Sequence, residues 1–356
     1  MRVLHLPTSV GGNAWGLAQG EKALGLDSKV LIAAQNWLNY DADIVLNMQD
    51  VNSNYKKVLK LAAAFMQARS RYDVFHFNGG SSLLHSPQNH LNQADLPFYP
   101  AAAKLFVTYN GCDARQKFPT IARTRVSACH DARCFHPICN FGAHDHLRRK
   151  AIAKMARYVR HIWALNPDLL YFLPAEKSSF LPYSVLPGQT VPVAPAFGKR
   201  LKLLHAPTHR EIKGTQYIVE AVEKVRRERG DVIELILIEN QPHEDAISRY
   251  RQADVIVDQV LIGWYGGFAV EAMKLGKPVM ARIAEEDLPF IPAAMAKDVR
   301  ETVINVSPLT LHDTILRCID DRAFLRERAA ASIEYANRWH DPRYVATLTK
   351  AQYEGA

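Results

Sequence analysis

Short apolar runs that end in Gly, Asn or Ser clusters and lead into helical patterns recur along this chain, in two successive series. In the first series, residues 3–6, 29–33, 73–77, 104–109 and 160–165 read as strands. The run at 73–77 ends in Asn78-Gly79-Gly80-Ser81, and the run at 104–109 in Asn110-Gly111-Cys112-Asp113. Strand–loop–helix units of this kind build parallel sheets covered by helices. A stretch holding Pro182, Pro187, Pro192 and Pro195, without helical period, then interrupts the pattern as a linker does. The alternation restarts with strands at 201–204, 233–238, 255–258 and 278–282 and helices at 215–229, 243–253 and 267–275. The expected fold class is α/β, two Rossmann-like doubly wound domains facing a cleft at the carboxyl ends of their strands. The expected boundaries are a domain over 1–185 with an insertion at about 112–146, a linker over 186–196, a domain over 197–335 and a terminal helix over 336–356.

The length of 356 residues and the 48% hydrophobic content supply large cores without disulfides. No apolar run approaches the ~20 residues that span a bilayer, and the start, Met1 to Leu6, is too short for a signal peptide and reads as a strand. A cytoplasmic protein is expected. Lys and Arg exceed Asp and Glu by 44 − 36 = 8. That balance suits anionic partners such as nucleotides, phosphorylated lipids or a membrane surface, or simply keeps the surface soluble.

A nicotinamide enzyme is disfavoured. Its glycine loop needs G-x-G-x-x-G after the first strand. Here Gly11-Gly12-Asn13-Ala14-Trp15-Gly16 puts Asn13 where the second glycine is required, and Gln35 and Asn36 stand where an adenine ribose would need an acid. Gly11 and Gly12 still expose backbone N–H groups at a helix start, which suits a phosphate or a sugar hydroxyl.

Two segments of the second half carry more. In His205-Ala206-Pro207-Thr208-His209-Arg210-Glu211-Ile212-Lys213-Gly214-Thr215, Arg210 and Lys213 can neutralise a diphosphate leaving group, and Gly214 allows close approach. Two solvated loop cations are the plainer reading. In the segment from Ala253 to Val279, a strand ends near Asp258, a Gly-rich loop follows, and a helix opens at Gly267–Phe268. Glu271 is expected in its first turn, either gripping ribose hydroxyls or capping the helix.

Together these segments resemble the donor-nucleotide domain of retaining glycosyltransferases of the GT-B architecture, the large family 4 group. Glu271-Ala272-Met273-Lys274-Leu275-Gly276-Lys277-Pro278-Val279 is similar to the end of that family's Glu-x7-Glu motif. The resemblance runs over most of the chain and is most specific between residues 203 and 280. It implies that Arg210 and Lys213 hold the diphosphate of a UDP- or GDP-sugar and that Glu271 binds the ribose. The loop carrying Gly263, Gly266, Gly267 and Phe268 would lie against sugar and phosphates, and 239–241 near the base. Gly11 and Gly12 would approach the phosphate and the acceptor, and the terminal helix would cross back to the first domain. The implied activity is glycosyl transfer with retention to a glycan, lipid-linked or small-molecule acceptor, in surface-polysaccharide or glycoconjugate assembly. With Arg210 and Lys213 as cations, no catalytic metal is expected. A non-catalytic sugar-nucleotide-binding protein and a sugar-nucleotide epimerase share the implied fold.

Two positions depart from the family. The first Glu of Glu-x7-Glu falls on Gly263, leaving Asp258 as a candidate carboxylate for the sugar. The His common after the strand that ends at Tyr109 is replaced by Asn110, with Asp113 and Arg115 as further sugar or acceptor contacts. His76, at a strand end, either faces the acceptor or is structural.

Cys129, Cys134 and Cys139, with His136, have the ligand types of a structural zinc site, though not a standard spacing; reduced thiols or disulfides are the other readings. Residues 146–160 read as a basic amphipathic helix, either a solvated face or a peripheral contact with anionic lipid at the inner face of a membrane. Nucleic acid is not expected as a partner, since no aromatic-interleaved basic motif accompanies the helix.

Overall fold

The computed structural model describes every residue except 36–38, 86–90, 187–190, 194–195, 242 and 356. Asn36, parts of the expected linker (Pro187 and Pro195 among them) and Ala356 lie outside the described residues. The chain divides into two compact units: Met1–Gln116 with Ala143–Leu186 and Asp341–Ala356, and Lys117–Gly142 with Pro187–His340. Among the described residues no helix is long and apolar enough to cross a membrane.

The first unit is built on seven strands: β1 (Arg2–Leu6), β2 (Asp27–Ile32), β3 (Ile44–Val45), β4 (Val74–Asn78), β5 (Lys104–Tyr109), β6 (His161–Ala164) and β7 (Ser178–Phe180). They pair in parallel in the order β3-β2-β1-β4-β5-β6-β7. Every residue of β4 is buried, because a central parallel strand is covered on both faces. The order reverses between β1 and β4, so the loops after those two strands open a crevice at their carboxyl ends.

The helix Asn13–Ala23 packs closely because Gly16 and Gly20 lack a Cβ. A Cβ on Gly16 would lie 2.1 Å from the Ser184 carbonyl oxygen, and one on Gly20 would lie 2.0 Å from that of Pro342. The second contact seats the C-terminal helix Pro342–Gly355 on this unit. A buried polar network ties it down. Glu21 accepts hydrogen bonds from Ser28 (2.7 Å), Thr349 (3.1 Å) and Tyr353 (3.0 Å) and is 2.8 Å from His5 Nε2. Burial pushes the Glu21 carboxyl up, but His5 and the hydroxyl donors outweigh it and hold the group below its usual range.

The second unit has five strands: β8 (Leu201–His205), β9 (Ile233–Leu237), β10 (Val255–Val257), β11 (Val279–Ala281) and β12 (Ile304–Asn305), all parallel, in the order β12-β11-β10-β8-β9. Its switch point lies between β8 and β10. The segment Lys117–Gly142 belongs to this unit, whereas the sequence pattern suggested an insertion at 112–146 in the first domain. The packing gives the reason. Ala128 and Cys134 share a core with Leu203, Ile218 and Leu261, and Arg133 donates to Gln216 at 3.0 Å.

Candidate functional site

The switch point of the second unit brings together the two loops singled out in the sequence. After β8 the chain makes one helical turn, Arg210–Lys213, and leaves it through Gly214 at φ +76°, from which the helix Thr215–Arg229 starts. A Cβ on Gly214 would lie 2.5 Å from Val260 Cγ2, so glycine is required both for the left-handed conformation and for the approach of the β10 loop. The Val260 N–H donates to the Lys213 carbonyl at 3.1 Å and joins the two loops. Beneath them, His205 Nδ1 is 2.8 Å from the Val257 carbonyl, so Nδ1 carries the proton and Nε2 accepts from the Thr215 hydroxyl at 2.9 Å. Burial pushes His205 down to about 4, so it is a neutral brace at ordinary pH.

Lys213 reaches across to Asp258, with Nζ 2.6 Å from Oδ1; the other carboxylate oxygen accepts the Gly266 N–H, also at 2.6 Å. The Asp258 side chain has no exposed surface and that of Lys213 is 13% exposed. Asp258 therefore does not supply the missing sugar carboxylate, as the sequence allowed; it fixes the ammonium and the glycine turn on a common anchor. Arg210 Nη1 donates to both carboxylate oxygens of Glu239, at 2.9 and 2.7 Å, but this pair is half-exposed, so Arg210 is the more easily redirected cation.

The loop between Asp258 and Gly266 is held by its own apolar residues. Val260, Leu261 and Ile262 are in the core, and the buried rings of Trp264 and Tyr265 stack at 4.5 Å. The helix Gly267–Lys274 follows, with Gly266 as its N-cap and no side-chain cap. Phe268 packs edge-on to Tyr250 at 4.9 Å. Glu271 is half-buried in the second turn, since no acid occupies the first; this corrects the expected placement. Gly263 is buried. A Cβ there would lie 2.6 Å from Ala284 Cβ, 3.1 Å from Arg282 Nη1 and 3.4 Å from Asp287 Oδ2. Ala284, Arg282 and Asp287 therefore take up the space that a glutamate would enter, and the buried Asp287 is itself paired with the part-exposed Arg123 at 2.7 Å. Sequence reading missed both partners, which are 164 residues apart.

In the first unit, Gly11 (φ +60°) and Gly12 (φ +67°) turn the chain into the helix Asn13–Ala23 without a side-chain cap, and space is open around Gly11. Nearby in topology, a Cβ on Gly79 would lie 3.6 Å from Thr8 Oγ1, 3.7 Å from Asn110 Nδ2 and 3.8 Å from Asp113 Oδ2. Thr8, Asn110 and Asp113 thus converge at the carboxyl ends of β1, β4 and β5. Asp113 accepts the N–H groups of Asn110 (2.8 Å), Gly111 (2.6 Å) and Ala114 (3.1 Å), so it shapes the turn. Burial raises its pKa, against those donors.

Three expected sites are corrected. His76 has no exposed surface and lies 2.7 Å from the Tyr353 hydroxyl and 2.6 Å from that of Thr108; it is a core group and faces no acceptor. Arg115 is buried in a bidentate pair with Asp168, at 2.6 and 2.9 Å, which braces the loop after β5. Among the described residues, Cys129, Cys134, Cys139 and His136 do not come together as a metal-ligand group. Among the described residues, the group of His, Cys, Asp or Glu ligand atoms that lies within 4.8 Å of one another is His5, Glu21 and His76. Sequence reading also passed over Asp41-Ala42-Asp43. Asp43 of that run is engaged with the Val30 N–H at 2.8 Å and Lys22 at 3.3 Å.

No protein-family model and no curated protein matches the sequence. Solved structures do. Sucrose-phosphate synthase from Thermosynechococcus elongatus aligns over 100% of this chain and 99% of its own, at 16% identity and a TM-score of 0.66. HepE of Anabaena, in complex with UDP and glucose, aligns over 100% of both chains at 13% identity and a TM-score of 0.64. UDP-GlcNAc 2-epimerase from Neisseria meningitidis, bound to UDP-GlcNAc, aligns over 100% of both at 14% identity and a TM-score of 0.53. The likeness is one of fold: two Rossmann-like units, the GT-B class.

Proposed function

We propose that this chain is a retaining glycosyltransferase that moves a sugar from a UDP- or GDP-sugar to a glycan, lipid-linked or small-molecule acceptor. The observation that carries the reading is the meeting of Lys213, Arg210 and the Gly266–Gly267 turn at the carboxyl ends of β8 and β10. Such a place, with fixed cations and a glycine turn opening a helix, is built for a diphosphate. Lys213, immobilised by Asp258, meets the diphosphate. Arg210 leaves its exposed partner Glu239 to join it, and Glu271 takes the ribose hydroxyls. In the transfer, the bond from the anomeric carbon to the β-phosphate oxygen breaks, and one to the acceptor oxygen forms on the same face. The acceptor proton passes to the departing phosphate oxygen. The loop amides and the two cations stabilise the charge that develops there. Asn110 and Asp113 are assigned to sugar and acceptor hydroxyls on the first unit. The HepE complex with UDP and glucose supports a nucleotide-sugar donor.

A thermal-shift panel of nucleoside diphosphates and their sugar conjugates tests the reading. A ligand at 100-fold over Kd stabilises the fold by about 2.7 kcal/mol. One base standing out is expected, and a flat panel would overturn the assignment. The epimerase reading, favoured by the likeness to UDP-GlcNAc 2-epimerase, differs in one readout. Proton NMR would then show the sugar of the donor inverted at one carbon with no acceptor present.

A further inference from the structure

Phe135, in the segment Lys117–Gly142 of the second unit, has a backbone conformation that its side chain disfavours, with φ at +50°. The other described non-glycine residues in the left-handed region are Gln93 and three asparagines, Asn39, Asn47 and Asn240, the residue type enriched there. A bulky ring at this φ is strained and stays only where the surrounding chain fixes it. Here the Cys139 N–H donates to the Phe135 carbonyl at 3.3 Å, the His136 N–H to the Arg133 carbonyl at 3.1 Å, and the Asn140 amide to the Ala132 carbonyl at 2.9 Å. The Phe135 ring joins Ile212 against the core that holds Ala128, Cys134 and Leu261, and it lies on the His209 ring with 4.6 Å between centres. His209 directly precedes Arg210. Its carbonyl accepts the Lys213 N–H at 3.1 Å, and its Nδ1 is 3.1 Å from Glu211 Oε2. Phe135 and Glu211 thus hold the imidazole at two points, at the start of the turn that carries both cations.

We propose that Phe135 is a positioning residue for the donor diphosphate. Its ring, held on His209 by a strained backbone, keeps the turn Arg210–Lys213 in the place where the ligand needs it, so the cations are set before the diphosphate arrives. The inference rests on the reading that Arg210 and Lys213 meet that diphosphate. Packing alone does not call for the strain, since glycine at this position would relieve it. A required place for the ring does.

The test is calorimetric titration of the full chain with UDP and with GDP, beside thermal unfolding. Phe135→Gly removes the ring and the strain together. Affinity for the better-bound nucleotide should fall by about tenfold or more, as for a displaced binding group. The unfolding midpoint should stay within about 4 °C of the parent, because relief of strain offsets the lost contacts. Phe135→Tyr keeps the ring and should keep the parent affinity. His209→Ala should lower affinity as Phe135→Gly does, and the double variant should lose little more than either one, since the two rings act as a unit. Unchanged affinity in Phe135→Gly, or losses that simply add in the double variant, would overturn the proposal. So would a collapse of the unfolding midpoint in Phe135→Gly, which would make the ring a core group. A parent that binds neither nucleotide defeats the donor reading itself, whereas a parent that binds, with variants that bind equally well, defeats only the role of Phe135.

Discussion

Lys213 and Asp258 lie 45 residues apart in sequence and 2.6 Å apart in space, with the carboxylate fully buried. The pair joins the loop after β8 to the loop after β10, and through the second carboxylate oxygen it also sets the Gly266 amide. Removing one partner of a buried pair strands the other charge away from water, a loss of about 3–5 kcal/mol. Lys213→Ala should therefore destabilise the fold by that order as well as abolish tight diphosphate binding. Adding Asp258→Asn should recover part of the stability, because a neutral amide oxygen still accepts the Gly266 N–H. Urea denaturation of the two single variants and the double variant measures the coupling, and strictly additive losses would refute it.

Gly266 and Gly214 flank the same lysine but should respond differently to alanine. A Cβ on Gly266 would lie 3.3 Å from Lys213 Nζ, the far end of a flexible side chain, and its backbone is not left-handed. Gly266→Ala should leave unfolding within about 1 kcal/mol of the parent, as a change at a site that can relax, while it displaces the ammonium. Gly214→Ala meets Val260 at 2.5 Å with φ at +76° and should cost about 1–3 kcal/mol. Calorimetric titration of nucleoside diphosphate separates them. For Gly266→Ala, affinity should fall about tenfold, the 1.4 kcal/mol equivalent of one weakened charge-assisted bond. Unchanged affinity would detach the ammonium from the ligand.

Placing a glutamate at Gly263 should damage the protein. The first atom of the new side chain would lie 2.6 Å from Ala284 Cβ and 3.4 Å from the Asp287 carboxylate, in a buried space. Overpacking alone costs about 1–3 kcal/mol, and a second buried carboxylate beside Asp287 adds to it. Gly263→Glu should lower Tm by several degrees; a variant as stable as the parent would show that the loop can open to admit the side chain.

The α/β class, the strand ends that carry the loops and the Lys213–Asp258–Gly266 stretch were legible in the sequence, because parallel strands are apolar runs with glycine-rich exits. The pairings were not. Asp258 looked like a sugar ligand because sequence gives a carboxylate's place on a strand, not whether it points at a lysine. His76 looked available at a strand end, yet its two ring nitrogens are taken by Thr108 and by Tyr353, 277 residues away. The segment Lys117–Gly142 was assigned by its place in the sequence, whereas Ala128 and Cys134 follow their apolar contacts into the other unit.

His205 makes stability depend on pH. Its folded pKa of about 4 lies below the ordinary 6.5, with burial as the cause. Between those values the unfolded chain binds the proton and the folded chain does not, so stability rises with pH across that window. The contribution is complete above about pH 6.5 and lost as pH falls toward 4, on the order of 3 kcal/mol at 1.36 kcal/mol per unit. The groups around His205 do not reverse the sign: the Val257 carbonyl and Asp258 favour its proton, Lys213 and Arg210 oppose it, and burial outweighs them. His76, also held far below its usual value by burial, acts in the same direction. Urea midpoints taken between pH 7 and pH 4.5 should fall steadily. His205→Asn keeps a donor for the Val257 carbonyl without a titrating ring, so its midpoint should change less over the same range. A parent midpoint that stays level would mean that the ring takes up its proton in the folded chain as readily as in the unfolded one, and a variant as steep as the parent would assign the dependence to His76 instead.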